Sequence, residues 1–227
     1  FKQKTAYEIY QCDWSSDVCS SDLLTYISPN GPQILDSSIT DENGNFIFES
    51  LRIPGIGFYT LNLDQQQFCP LILDSGKNVT VKGDALNLGY TFVTEGSEDS
   101  KTYREISKVG MRFQTMSDSL GNEFKREMDR TRLKKDSFEI LNKKYEKIYN
   151  EFSNSFSKEL ISIINKNPQS LACLAAVGQL DPDNYIKTYE FVDQNLSKRY
   201  PKFDGLKSFH SQVEVLKTLD RKSTRLN

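Results

Sequence analysis

The chain has 227 residues, and its 29 Lys and Arg against 31 Asp and Glu give a formal charge of −2. That balance excludes a strongly basic nucleic-acid binder and an acidic disordered tail, and the length is ample for a buried core in one domain or two small ones. A mean hydropathy of −0.56, with no apolar run of bilayer-spanning length, excludes a membrane span in the chain as it stands.

The first 23 residues set themselves apart from the rest of the chain. Lys2 to Ile9 reads KQKTAYEI, Tyr10 to Cys12 reads YQC, and Asp13 to Leu23 reads DWSSDVCSSDL. The first and third strings resemble the translation of common short-read sequencing adapters, and the three residues between them fall where a sample index would sit. Asp220 to Asn227, DRKSTRLN, resembles the same adapter read in the opposite orientation. Such segments are set aside before reasoning about a fold. The expectation is that residues 1–23 and 220–227 are artefact, together with Trp14, Cys12 and Cys19. The biological part is then 24–219, a piece of a longer protein open at both ends.

Within 24–219 the composition switches near Gly96. Residues 24–96 hold eight Gly, three basic and eight acidic residues; residues 97–219 hold four Gly, twenty-one basic and eighteen acidic residues. A change of glycine density and of charge sign at one place predicts a boundary between a domain at 24–96 and another at 97–219.

The first part reads as strands. Gln33 to Thr40, with Ile34 and Ile39 at its apolar positions, leads into Asn43-Gly44, a hairpin signal, and then into Phe46-Ile47-Phe48. Gly57 to Leu63 alternates, with Tyr59, Leu61 and Leu63 on one face. Cys69 to Leu73, the turn Asp74-Ser75-Gly76-Lys77, Val79 to Val81 and a last strand at Tyr90 to Thr94 complete an antiparallel sheet, a sandwich or partial barrel.

The second part reads as helices. Ser97 is an N-cap with Glu98 and Asp99 in the first turn, and Tyr103, Ile106, Val109, Phe113, Met116 and Leu120 form a stripe up to a break at Gly121-Asn122. A second stripe at Phe138, Leu141, Tyr145, Ile148 and Phe152 has the spacing of a paired-helix seam, so an antiparallel hairpin ending at Asn167-Pro168 is predicted. A short buried helix in Ser170 to Val177 comes next, then helices at Asp183 to Tyr200 and Phe203 to Leu219. The fold class is α+β.

Few residues suggest chemistry. Cys69 in an apolar strand and Cys173 in LACLAAV read as core thiols, and His210 as an exposed helix position without metal-ligand spacing. The loop Arg52 to Gly57 lacks the Lys-Ser/Thr of a phosphate loop and reads as a connection. The basic run Arg126, Arg130, Arg132, Lys134 and Lys135 is interleaved with Glu123, Glu127, Asp129 and Asp136, the pattern of a solvated face. Asn78-Val79-Thr80 matches a glycosylation acceptor on a three-residue pattern alone. No catalytic, cofactor-binding or metal residue is assigned, and no nucleic-acid partner is expected.

Taken in order, DSSITDENGNFIFE (Asp36 to Glu49), PGIGFYTLNL (Pro54 to Leu63), LILDSGKNVTVKGD (Leu71 to Asp84) and TFVTEGSEDSKTY (Thr91 to Tyr103) resemble a β-rich domain of unknown function. That domain precedes a thioredoxin-like domain in bacterial envelope proteins of the TlpA-like thiol–disulfide interchange group. PQSLACLAAV (Pro168 to Val177) with YEFVDQNLSKRYP (Tyr189 to Pro201) is similar to the helical connector of that family. The resemblance implies an exported, periplasmic or lipid-anchored parent protein whose redox domain would follow this chain, with envelope proteins as its substrates. Here no residue matches the catalytic CxxC, so the chain itself is expected to lack oxidoreductase activity. The other reading is an envelope module that binds carbohydrate or peptide through its β domain, with a helical spacer.

Overall fold

A computed structural model describes residues 6–10, 21–28, 30–49, 53, 55–63, 67–131 and 135–226. Among the described residues eight strands lie in the first part: β1 (Ala6–Tyr10), β2 (Ser21–Ser28), β3 (Gly31–Ile39), β4 (Phe46–Glu49), β5 (Gly57–Leu63), β6 (Gln67–Leu73), β7 (Thr80–Lys82) and β8 (Val93–Glu95). They form two four-stranded sheets, β3-β2-β5-β6 and β4-β1-β7-β8. Every pairing is antiparallel except β1 with β7, which is parallel. The fold is α+β, as the sequence predicts, and the β part is an open sandwich.

Alternation along β5 buries Tyr59, Leu61 and Leu63 on one face, as expected. These join Leu24, Cys69, Leu71 and Leu73 of the same sheet and meet Phe46, Phe48, Val79 and Val81 from the other side. Each such Leu or Phe removed from water stabilises the fold by about 1.5–3 kcal/mol, so this shared core is what holds the two sheets together.

Three expectations for the strands change. The hairpin signal predicts that Gln33 to Thr40 folds back on Phe46 to Phe48, yet β3 pairs with β2 and β4 pairs with β1. The turn itself is present: Gly44 has φ +78, and the Asp41 carboxylate accepts from the amides of Asn43 and Asn45 at 2.9 and 2.8 Å. It carries the chain between sheets because Leu24 and Tyr26 of β2 occupy the place beside β3 and give that strand a hairpin partner through Gly31 (φ +111). As a consequence Ile34 and Ile39, assigned to apolar positions, are 66% and 71% exposed. The last strand begins at Val93 rather than Tyr90, because Leu88 to Thr91 closes into one helical turn, α1, that places Leu88 and Phe92 in the core.

Within its sheet β1 alone joins β4 to the β7–β8 pair. Deleting residues 1–20 is therefore expected to leave two open strand edges in place of a ladder, and such edges pair with other chains. Size-exclusion chromatography should show a larger dimer and aggregate fraction than the full chain; an unchanged monomer fraction would contradict the strand's role.

The helices are α2 (Glu98–Thr131), α3 (Lys135–Lys166), α4 (Cys173–Val177), α5 (Pro182–Arg199) and α6 (Asp204–Leu226). The hairpin of α2 and α3 is antiparallel, with Phe113 stacked on Phe156 at 4.2 Å, Phe124 edge-on to Tyr145 at 5.2 Å, and Arg112 bonded to Glu159 at 2.6 Å. The expected break at Gly121-Asn122 does not occur, and α2 runs on for 34 residues. A helical glycine costs about 1 kcal/mol, which the ring contacts on either side offset. The base of the hairpin is embedded in the helical core through Ile106, Val109, Leu160 and Ile164, and farther out Tyr145 is buried beside Phe124. Farther out Met116, Phe138 and Ile148 of the predicted stripes are exposed, because a two-helix arm has no third layer to cover them.

The helical part is fixed to the sandwich at Ile72 of β6. Ser97, the predicted N-cap, accepts from the Ser100 amide at 3.1 Å and donates to the Ile72 carbonyl at 2.9 Å. Ser100 accepts from the Ile72 amide at 2.9 Å and donates to its carbonyl at 2.8 Å. β6 is an edge strand, so these hydroxyls satisfy main-chain groups that no further strand pairs. Ile72 itself points away from the sandwich core and into the helical core.

Candidate functional site

Where β2 and β5 separate, the outer face of their sheet meets the turn between α5 and α6. The β2–β5 ladder ends at the pair Tyr26 and Tyr59, although β2 continues to Ser28 and β5 starts at Gly57. Opposite them Pro201, unable to continue α5, turns the chain into α6. The space between is a cleft of about 1120 Å³ with Tyr26, Phe58, Leu174, Tyr200, Phe203 and Phe209 among its walls. Phe58 anchors the floor, 5.4 Å from the ring of Tyr103 and 6.5 Å from that of Phe203.

A buried carboxylate sets the position of Tyr200. Asp99 Oδ1 accepts from Ser170 Oγ at 2.6 Å and from the Leu171 amide at 3.0 Å, while Oδ2 accepts from the Tyr200 hydroxyl at 3.2 Å. Burial, and then the Asp99 charge, push the Tyr200 phenol far above its ordinary range, so it remains a donor. Arg199 lies over the Tyr200 ring at 5.3 Å and donates to Gln169 Oε1 at 3.3 Å. Arg199 and the exposed Lys202 form the rim on this side.

Of the described residues weighed from sequence, Gly55 and Ile56 of the Arg52 to Gly57 connection line the cleft, and the cysteines, His210 and the basic run fall elsewhere. Cys69 and Cys173 are both free and buried, one in each core. Burial pushes both thiols up, that of Cys173 to about 12, so neither carries a thiolate near neutral pH. Gly55 of the predicted connection has φ +149 and accepts from the Tyr59 hydroxyl at 2.8 Å; Arg52 and Pro54 lie outside the described residues. Arg126 and Arg130 are exposed on α2, Glu127 pairs with Lys144 at 3.0 Å, and Arg132 and Lys134 lie outside the described residues. Asn78 is exposed. Among the described residues no three His, Cys, Asp or Glu are grouped to hold a metal ion, and no helix is long and apolar enough to cross a membrane.

His210 is exposed on its helix, as expected, and has a partner that the sequence did not reveal: its Nδ1 lies 2.7 Å from Oδ2 of the buried Asp193. The hydrogen bond to Asp193, then its charge, raise the imidazole above its usual value. A group raised in the folded state stabilises fully below its unfolded value, about 6.5, and loses that contribution as pH rises through the raised value. The stability difference between the unsubstituted chain and His210→Gln is thus expected to be largest in mildly acidic buffer and to shrink on going alkaline. Urea midpoints of both proteins across that range check it; a difference independent of pH would contradict the charged pair.

Sequence reading missed the cleft because its walls come from four separated segments. One signal was available: alternation along β5 turns Phe58 away from the sandwich core, and an outward aromatic calls for a second packing surface. Comparison with family models, with curated proteins and with solved structures found no match to this chain.

Proposed function

We propose that this chain is a non-catalytic recognition or positioning module, the β-rich and connector portion of a TlpA-like thiol–disulfide interchange protein of the bacterial envelope. In this reading residues 1–23 and 220–227 replace natural sequence, a signal or lipid anchor precedes the module, and a thioredoxin-like domain with a CxxC follows it. The observation that supports the non-catalytic part is that, among the described residues, neither thiol nor the histidine lines the cleft: Cys69 and Cys173 are buried and His210 lies outside it. The order of motifs from Asp36 to Pro201 supports the family assignment.

Insulin reduction with dithiothreitol tests the non-catalytic reading. The chain with Cys12 and Cys19 changed to serine is expected to leave the rate at that of buffer alone. Turnover at the level of a thioredoxin would end the proposal.

A second reading, an envelope module for carbohydrate or peptide, is favoured by one observation, the aromatic lining of the cleft. It requires no CxxC downstream, which separates it from the first.

A further inference from the structure

The cleft has an asymmetric rim and an interrupted ladder, and together these define what it can hold. Arg199 is engaged by Gln169 and by the Tyr200 ring, and among the described residues neither it nor Lys202 has a carboxylate partner within ion-pair distance. Asp204, the acid at the same rim, is held by Lys207 at 2.8 Å. Among the described residues the rim therefore offers two cations that no carboxylate pairs, above a floor made by Phe58 and Phe203.

Along one wall Ile27 and Ser28 continue past the last β2–β5 pair, still paired with β3 at Pro32 and Gly31 but no longer with β5, and both line the cleft. A strand that loses its neighbour presents main-chain donors and acceptors to whatever extended backbone lies beside it. A peptide uses all three features at once, with its backbone beside β2, apolar side chains on the rings, and a carboxylate at Arg199 and Lys202. A neutral sugar uses only the rings.

We propose that this cleft docks an extended acidic peptide segment of a partner protein, one that alternates apolar and carboxylate side chains. The proposal rests on the recognition reading above and names its ligand class. Strength comes from apolar contact with Phe58 and Phe203; selection by charge comes from the rim, so affinity falls as salt rises.

The test is fluorescence anisotropy with two labelled short peptides, one alternating leucine with glutamate and one alternating leucine with lysine, and with maltohexaose as competitor. The glutamate peptide is expected to bind about tenfold more tightly than the lysine peptide, a difference of about 1.4 kcal/mol. Lys202→Glu, at an exposed position, should reverse or abolish that preference without moving the unfolding midpoint. Phe203→Ala should weaken both peptides. Equal binding of the two peptides, no binding of either, or displacement by maltohexaose with no dependence on Lys202 would overturn the proposal. Insulin reduction on the same preparations keeps the two readings apart. Failed peptide binding with no turnover removes the ligand class alone, whereas turnover removes the non-catalytic reading whatever the peptide does.

Discussion

Gly96→Ala is expected to lower the unfolding free energy by about 3 kcal/mol, far more than its one added methyl suggests. Gly96 joins β8 to the N-cap of α2 with φ +87, a conformation that costs an L-residue about 1–2 kcal/mol. A Cβ there would collide with the Asn78 carbonyl oxygen and lie 3.2 Å from its carbon. Both are main-chain atoms next to the buried Val79, so the clash is relieved only by moving the strand that Val79 seats in the core. Gly121 supplies the contrast. It sits exposed in α2 with no positive φ, and nothing lies within 4 Å of the place an added methyl would take. Gly121→Ala should therefore stabilise by about 0.5–1 kcal/mol. Urea titration of the two variants decides the matter. Equal effects of the two, or a loss below about 1 kcal/mol at Gly96, would mean that the close approach to Asn78 is not a feature of the folded chain.

Asp99→Ala is the second large effect, about 3 kcal/mol of stability. The carboxylate, 9% exposed, is the acceptor for three donors that belong to two other segments: Ser170 Oγ, the Leu171 amide and the Tyr200 hydroxyl. A buried donor left without its partner costs about 1–3 kcal/mol, and the three share one acceptor group, so their losses do not simply add. Asp99→Asn keeps one carbonyl oxygen for Ser170 and Leu171 and should cost less. Tyr200→Phe removes a single bond and should cost about 1 kcal/mol. A double-mutant cycle between Asp99→Ala and Tyr200→Phe measures the coupling directly. Additive losses would show that Asp99 does not hold Tyr200, and with it the cleft wall, in place.

How far the sequence went depends on whether a signal is local. Alternation at Tyr59, Leu61 and Leu63, the glycine turns at Gly44 and Gly76, and the Ser97 cap are short-range patterns, and each stands in the structure as read. Pairing is not short-range. Ile34 and Ile39 read as apolar positions of a strand but end exposed on an edge, because Leu24 to Ile27, a β-branched and aromatic run before Asn30-Gly31, is the strand that β3 meets. The hairpin stripes were legible as helices, and Ile106, Val109 and Tyr145 are buried as a seam requires, but Met116, Phe138 and Ile148 are exposed because their burial depends on a covering layer that the arm lacks.

The site was the least legible part. Asp99 reads as an acid placed for the helix dipole, and only the folded chain brings Ser170, 71 residues away, to its oxygen. Asp193 and His210 meet across the α5–α6 hairpin at a separation of 17 residues, outside any motif spacing. Arg199 and Lys202 look like ordinary surface cations until Phe58 and Phe203 are placed beneath them.

Sequencing the parent locus outward from the codons for Leu24 and Leu219 tests the central claim most directly. The account predicts a signal or lipoprotein leader upstream and a thioredoxin fold with a CxxC downstream, with different codons where residues 1–23 and 220–227 now stand. A stop codon or an unrelated domain directly after Leu219 would contradict the thiol–disulfide reading. Native DNA encoding those terminal residues would contradict their assignment as adapter.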